Sequence, residues 1–256
     1  MRSRGIVAFM AVALIASLAA VAPVAAKPGT PPGKAHGKNA LRGKIIIEGL
    51  TLAGTQFGTP SGQPTTVATD PVSIPVTEGD RFTYSTITCA TAFPPWNSFG
   101  LHFEPDYPGV DEGPTDRGAS VRHELRGTIT KVKSDGTGKV RGTITTFLCE
   151  NGIRTDQIVS RYKAKFTPTS ATSVPLVGGG PVPTTGGLAL DGRFKIIDGT
   201  GRFEDLKGHG TMIGQFTCLP RTLERLGKSS CAQLGGYSEA PFQLRGRFRD
   251  RTVPAA

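Results

Sequence analysis

The sequence predicts an all-β fold: a closed antiparallel β-barrel of about eight strands with disulfide-stapled long loops. Three observations carry this. A pentapeptide of the form apolar-x-Gly-x-apolar recurs along the chain, apolar and polar side chains alternate with a period of two, and the composition is turn-rich. With 34 glycines, 20 prolines and only 7% aromatic residues, the chain suits short strands and tight turns better than helices. A β-sandwich is the alternative.

At the start of the chain, Arg2 and Arg4 precede an uncharged apolar stretch from Gly5 to Val21, and Val24-Ala25-Ala26 supplies small residues. This is the layout of a secretory signal peptide over 1–26, with Lys27 opening the mature protein. Pro23 and the small residues end the apolar run short of the ~20 residues that a membrane span needs. No second long apolar run follows, so the expected location is extracellular and no membrane span is expected.

Residues 27–40 are rich in Pro, Gly and Lys, with almost nothing to bury, and read as a flexible basic tail. Residues 41–256 form the predicted barrel domain. The formal charge is +10; without Arg2 and Arg4 it is +8, and Lys27, Lys34, Lys38, Arg42 and Lys44 hold five of those charges. The tail is therefore a candidate for adhesion to an anionic cell-surface polymer. Its plainer role is a solubilising linker. Nucleic acid is disfavoured, because no aromatic residues are interleaved with the basic ones.

The pentapeptides are Leu41-x-Gly43-x-Ile45, Leu125-x-Gly127-x-Ile129, Val140-x-Gly142-x-Ile144, Leu190-x-Gly192-x-Phe194, Met212-x-Gly214-x-Phe216 and Leu244-x-Gly246-x-Phe248. In each, glycine shares a face with the large apolar residues. Glycine weakens a strand unless a bend or close backbone approach requires it. A sheet closing on itself needs both bends and small inner residues, which favours a barrel. The opposite faces are mostly polar: Gln243, Arg245, Arg247 and Arg249 in one segment, Val159, Arg161, Lys163 and Lys165 in another. Such faces also exclude an outer-membrane barrel, where lipid demands apolar residues.

The strands predicted are Arg42–Gly49, Thr65–Thr69, Arg81–Cys89, Val121–Val132, Lys139–Cys149, Gln157–Phe166, Leu188–Ile197, Gly208–Cys218 and Pro241–Arg249. Ser134-Asp135-Gly136-Thr137-Gly138 joins two Arg-Gly-Thr-Ile-Thr strands as a hairpin. Two long excursions remain, Ala90–Ser120 and Thr167–Gly187, the second expected to be a floppy hairpin loop.

The segment Phe194-Lys195-Ile196-Ile197-Asp198-Gly199-Thr200-Gly201-Arg202-Phe203, followed by Leu206-Lys207-Gly208-His209-Gly210, resembles the dirigent and allene oxide cyclase barrel family. That family carries a strand, a Gly-Gly-Thr-Gly-x-Phe turn and a further Gly opening the next strand. Here Asp198 stands where the family usually has Gly, and Leu206 where it often has Ala. The resemblance implies an eight-stranded barrel with an apolar cavity, a turn with positive φ at glycine, and Phe203 as a plug. It covers about a tenth of the chain and brings no catalytic residue with it.

Four cysteines, an even number in a chain read as exported, favour disulfides. Strand direction puts Cys149 and Cys218 at opposite rims, too far apart to bridge. The pairs expected are Cys218–Cys231, which flank a short loop, and Cys89–Cys149. No C-x-x-C or histidine at ligand spacing supports a metal, and no motif calls for a cofactor.

Candidate site residues are few. The first excursion gathers Phe93, Trp96, Phe99 and Tyr107 with Glu104, Asp106, Asp111, Glu112 and Asp116, a candidate ligand-binding loop or a self-packed lid. The acids lack the order of a calcium loop. His36 lies in the tail, His209 alternates onto a polar face, and His102 with Glu104 is an isolated H-x-E. His123 alternates with Val121, Leu125 and Ile129 and should point inward, as a general base or as a hydrogen-bonded core residue. No nucleophile elbow or phosphate-binding loop is present. The sequence therefore predicts a secreted binding or interaction protein without catalysis. The alternative is a cyclase- or isomerase-type enzyme, or dirigent-like protein, acting on a small apolar ligand in the cavity.

Overall fold

The computed structural model describes residues 40–55, 76–85, 100–108, 110, 120–150, 152–170, 172–175 and 181–254. The leader, most of the basic tail and the strand predicted at Thr65–Thr69 lie outside these residues. The chain divides into Met1–Gly33 and Lys34–Ala256, and every described residue belongs to the second unit.

The described chain is all-β. Its strands are β1 (Ala40–Thr55), β2 (Arg81–Ser85), β3 (Leu101–Glu104), β4 (Ser120–Val132), β5 (Gly138–Glu150) and β6 (Ile153–Thr169), then β7 (Thr172–Val174), β8 (Val182–Thr184), β9 (Gly187–Thr200), β10 (Lys207–Thr217) and β11 (Glu239–Pro254). Nine of them form one sheet in the order β11-β10-β9-β6-β5-β4-β2-β1-β3, with a further pairing between β11 and β1. Every ladder in it is antiparallel.

The period-two pattern does the work predicted of it. Along β6 the burial alternates from Ile158 to Phe166, with Tyr162 inside and Arg161, Lys163 and Lys165 outside. The buried face packs across the molecule: Phe82 on β2 meets Phe216 on β10 edge-on, ring centroids 4.7 Å apart, although four strands separate β2 from β10 in the sheet order. Tyr84 stacks on the same Phe216 ring at 5.4 Å, and its hydroxyl donates to the Tyr237 carbonyl at 3.1 Å.

Glycine on the buried face has a steric cause. Gly127 and Gly142 oppose each other across β4 and β5. A Cβ at Gly142 would lie 1.8 Å from the Arg126 carbonyl oxygen, so the backbones approach closely there. The β4–β5 turn is closed by Asp135, whose carboxylate accepts from the Thr137 N–H at 2.9 Å and from its hydroxyl at 2.7 Å. The hydroxyl and N–H of Thr137 hold the Asp135 pKa below the ordinary carboxylate value.

Two expectations about the excursions need correction. Residues 101–104 are strand, not loop: β3 pairs with Lys44–Ile47 of β1. The second excursion is shorter than expected, because β6 runs on to Thr169, and its described residues pair as a β7–β8 hairpin. Thr184 Oγ1 of that hairpin donates to Gln215 of β10 at 3.2 Å, and the Thr185 hydroxyl to the Cys218 carbonyl at 2.8 Å. Between β10 and β11, helices α1 (Pro220–Arg225) and α2 (Cys231–Leu234) are tied by the Cys218–Cys231 disulfide, Cα atoms 5.6 Å apart.

The turn after β9 is a single 3-10 turn, Gly201–Phe203, with Gly201 at φ +61°. An L side chain is disfavoured at that angle. Phe203 turns into the core, 5.4 Å from the Tyr107 ring. Arg202 binds Asp156 of β6: its N–H donates at 2.8 Å, Nε at 2.9 Å and Nη2 at 2.7 Å, and Nη2 also pairs with Glu150.

Candidate anion-binding face

The residues picked from sequence as candidate ligands do not assemble into one site. His123 points inward as expected and is fully buried. Its Nδ1 shares a hydrogen bond with Thr146 Oγ1 at 3.1 Å, and its ring meets Phe242 edge-on at 5.2 Å. Gly49 completes the enclosure, since a Cβ there would come within 2.4 Å of the imidazole. These contacts are those of a core histidine. Tyr107 is a core residue rather than part of an open loop: its ring packs on Phe103, Phe203 and Phe248. The Tyr107 hydroxyl donates to Asp250 at 2.5 Å; burial, and then that hydrogen bond, push its pKa far up. Phe93, Trp96, Phe99, Asp111, Glu112, Asp116, Cys89 and His36 lie outside the described residues. Cys149 is disulfide-bonded.

His102 and Glu104 serve separate partners. His102 Nε2 faces the buried Glu48 at 3.7 Å, and Glu104 pairs with Lys44 at 3.0 Å. His209 is exposed on β10, on the polar face assigned to it. Among the described residues no group of three or more His, Cys, Asp or Glu side chains is placed to hold a metal ion. No helix among them is long and apolar enough to cross a membrane.

What the sequence reading missed is a pattern on the other side of the sheet. One end of that outer face is covered: Thr217 Oγ1 donates to the Gly186 carbonyl at 2.6 Å, and buried Glu239 accepts from the Leu219 N–H at 3.0 Å. The uncovered part carries rows of cations, with Asp191 of β9 facing Lys165 beside them. Arg141 on β5 stands opposite Lys163 on β6, which stands opposite Arg193 on β9. One step along the strands, Arg161 faces Lys195, which faces His209, which faces Arg247, which faces Lys44.

Over the Gly127–Gly142 pair this face holds a recess of about 710 Å³. Its walls bear Arg81, Arg126, Arg141, Arg161 and Lys163, with Thr83, Thr128 and Thr143 between them and, among the described residues, no carboxylate in the lining. Register orders these side chains as two rows, Arg81-Thr128-Arg141-Lys163 and Thr83-Arg126-Thr143-Arg161. All five cations are exposed, and only Arg126 has a carboxylate partner among the described residues, Glu124 at 2.6 Å. Beneath the floor, Phe82 and Tyr162 fill the space a Cβ on Gly127 would take.

Like charges directly opposite each other on a sheet repel and destabilise it. Here they recur on successive strands about 4.8 Å apart. Such an arrangement attracts anions and gains by neutralisation. Guanidinium forks and threonine hydroxyls are donors suited to oxyanions. The signal was available in the sequence as Arg and Lys on outward strand positions, but which of them adjoin depends on register. In comparisons with known proteins, no family model, no curated protein and no solved structure matches this chain.

Proposed function

We propose that this chain is an exported, non-catalytic binding protein: a closed, filled β-barrel whose outer face holds an anionic ligand. Barrel closure is supported by the ladders that join β11 to β1 and β1 to β2, linking eight strands in a ring of pairings; the sandwich is the alternative arrangement. Export is supported by the leader-like 1–26 segment and by the Cys218–Cys231 disulfide, which suits an oxidising compartment. The resemblance of Phe194–Gly210 to the dirigent and allene oxide cyclase family is part of the same proposal and concerns fold alone.

The observation that carries the functional reading is the row Arg141-Lys163-Arg193, three adjacent cations with no carboxylate partner among the described residues. The cyclase- or isomerase-type alternative needs room for an apolar ligand beside His123. Thr146, Phe242 and Gly49 crowd that imidazole instead.

Titration of the purified protein with dextran sulfate, and separately with an apolar fluorescent probe, tests the reading. Saturable, salt-sensitive binding of the polymer without saturable uptake of the probe is the expected result. Stoichiometric probe binding lost in His123→Ala, with no polymer binding, would overturn it in favour of the interior-ligand alternative.

A further inference from the structure

We infer that the recess over Gly127 and Gly142 is a specific site for a linear oxyanion-bearing polymer, phosphate or sulfate in chemistry, lying across the strands. The inference rests on the outer-face reading above and narrows it to one place and one ligand class. The recess concentrates five cations, four of them arginine, in a concave surface whose lining has no acid among the described residues. Its rows run across β2, β4, β5 and β6, so a chain following them meets Arg81, Arg141 and Lys163 in turn.

The intervening Thr128 and Thr143 offer hydroxyls at the points where a cation is missing. Forked guanidinium donors fit tetrahedral oxyanions in pairs, which a lysine point charge does not. Among the described residues the only aromatic of the lining is Phe82, and its side chain is buried on the inner face. A nucleic acid would want rings on which to stack its bases, and the described lining of the recess presents none. The recess therefore reads charge and not bases. The excursion beyond β10 also carries exposed cations, Arg225 and Lys228, but on helix and turn rather than in rows.

The test compares inorganic polyphosphate, dextran sulfate and a single-stranded oligonucleotide as probes of the full protein. The recess variant is R141Q/K163Q; the control, R225Q/K228Q, removes the same charge elsewhere. Relative to wild type, the recess variant should lose about a hundredfold in affinity for the two oxyanion polymers. Its salt slope should fall by about two. The control should lose less than about threefold. Arg141→Lys, which keeps the charge and loses the fork, should still weaken binding severalfold. Because removing Lys163 relieves a like-charge opposition, unfolding midpoints of the recess variant should not fall.

Equal losses in recess variant and control would overturn the site while leaving the anionic-face reading intact. No binding of any polyanion by wild type would overturn that reading itself. Tighter binding of the oligonucleotide than of polyphosphate at matched charge would overturn the ligand class. Preference for either oxyanion polymer supports the site and assigns its natural group as phosphate or sulfate.

Discussion

Lys163 stands directly across from Arg141, two exposed cations on adjacent strands with no carboxylate partner to either among the described residues. Nothing in the packing of a sheet asks for this. A folded protein keeps such an opposition at some cost, and the cost makes sense if something anionic relieves it. Lys163→Glu should therefore stabilise the protein by about 0.5–1 kcal/mol, by turning the oppositions to Arg141 and Arg193 into attractions. The same substitution should weaken polyanion binding. Urea midpoints and polymer titrations on one protein sample check both halves.

Gly142→Ala tests the backbone beneath the recess. The added Cβ would sit 1.8 Å from a main-chain oxygen of β4, a contact that no side-chain rotation relieves. A loss of about 2–3 kcal/mol is expected. A fall of under half a kilocalorie in chemical denaturation would mean that β4 and β5 are free to separate there.

The Asp156–Arg202 pair should make the fold acid-sensitive in a definite direction. Burial opposes the Asp156 charge, but the backbone N–H and guanidinium of Arg202 outweigh it and hold the carboxyl below its ordinary value. A carboxyl depressed in the folded state adds stability that is full above the unfolded pKa of about 4. That stability is lost as pH falls through the folded-state value. Asp156→Asn should cost about 1–3 kcal/mol at neutral pH. The gap to wild type should close in strong acid, as thermal melts across pH would show.

The Cys218–Cys231 bridge closes a loop with a separation of 13 residues. Loss of such a loop constraint costs about 3 kcal/mol in the chain-entropy account. Cys218→Ser with Cys231→Ser should lower the melting temperature and raise hydrogen exchange first in α1 and α2. Polyanion binding should persist, since β2, β4, β5 and β6 hold the recess.

Much of the strand pattern was legible in the chain because inside and outside differ chemically at every second residue. From Ser160 to Phe166 small or apolar residues alternate with Arg161, Lys163 and Lys165, and the burial follows that alternation. The Cys218–Cys231 pair was legible because only a short loop lies between them. β3 was not legible: four residues in an aromatic and acidic excursion become strand only because β1 offers an edge at Lys44–Ile47. Tyr107 read as a loop aromatic because the sequence does not reveal that Asp250, far along the chain, receives its hydroxyl.

The sequence by itself determined the all-β class, the faces of the strands and the glycine positions, since each follows from local periodicity. It also set the total charge, but that total concealed the site. Past Lys44 the chain carries only about +3, because acids nearly balance bases. Tertiary structure decided where each sign went. Glu48, Asp156, Glu239 and Asp250 are buried, while Arg141, Arg161, Lys163 and Arg193 remain outside. Strand register, which depends on contacts between distant residues, then placed those cations side by side. Adjacency across strands is a property of pairing, and no linear reading of charge contains it.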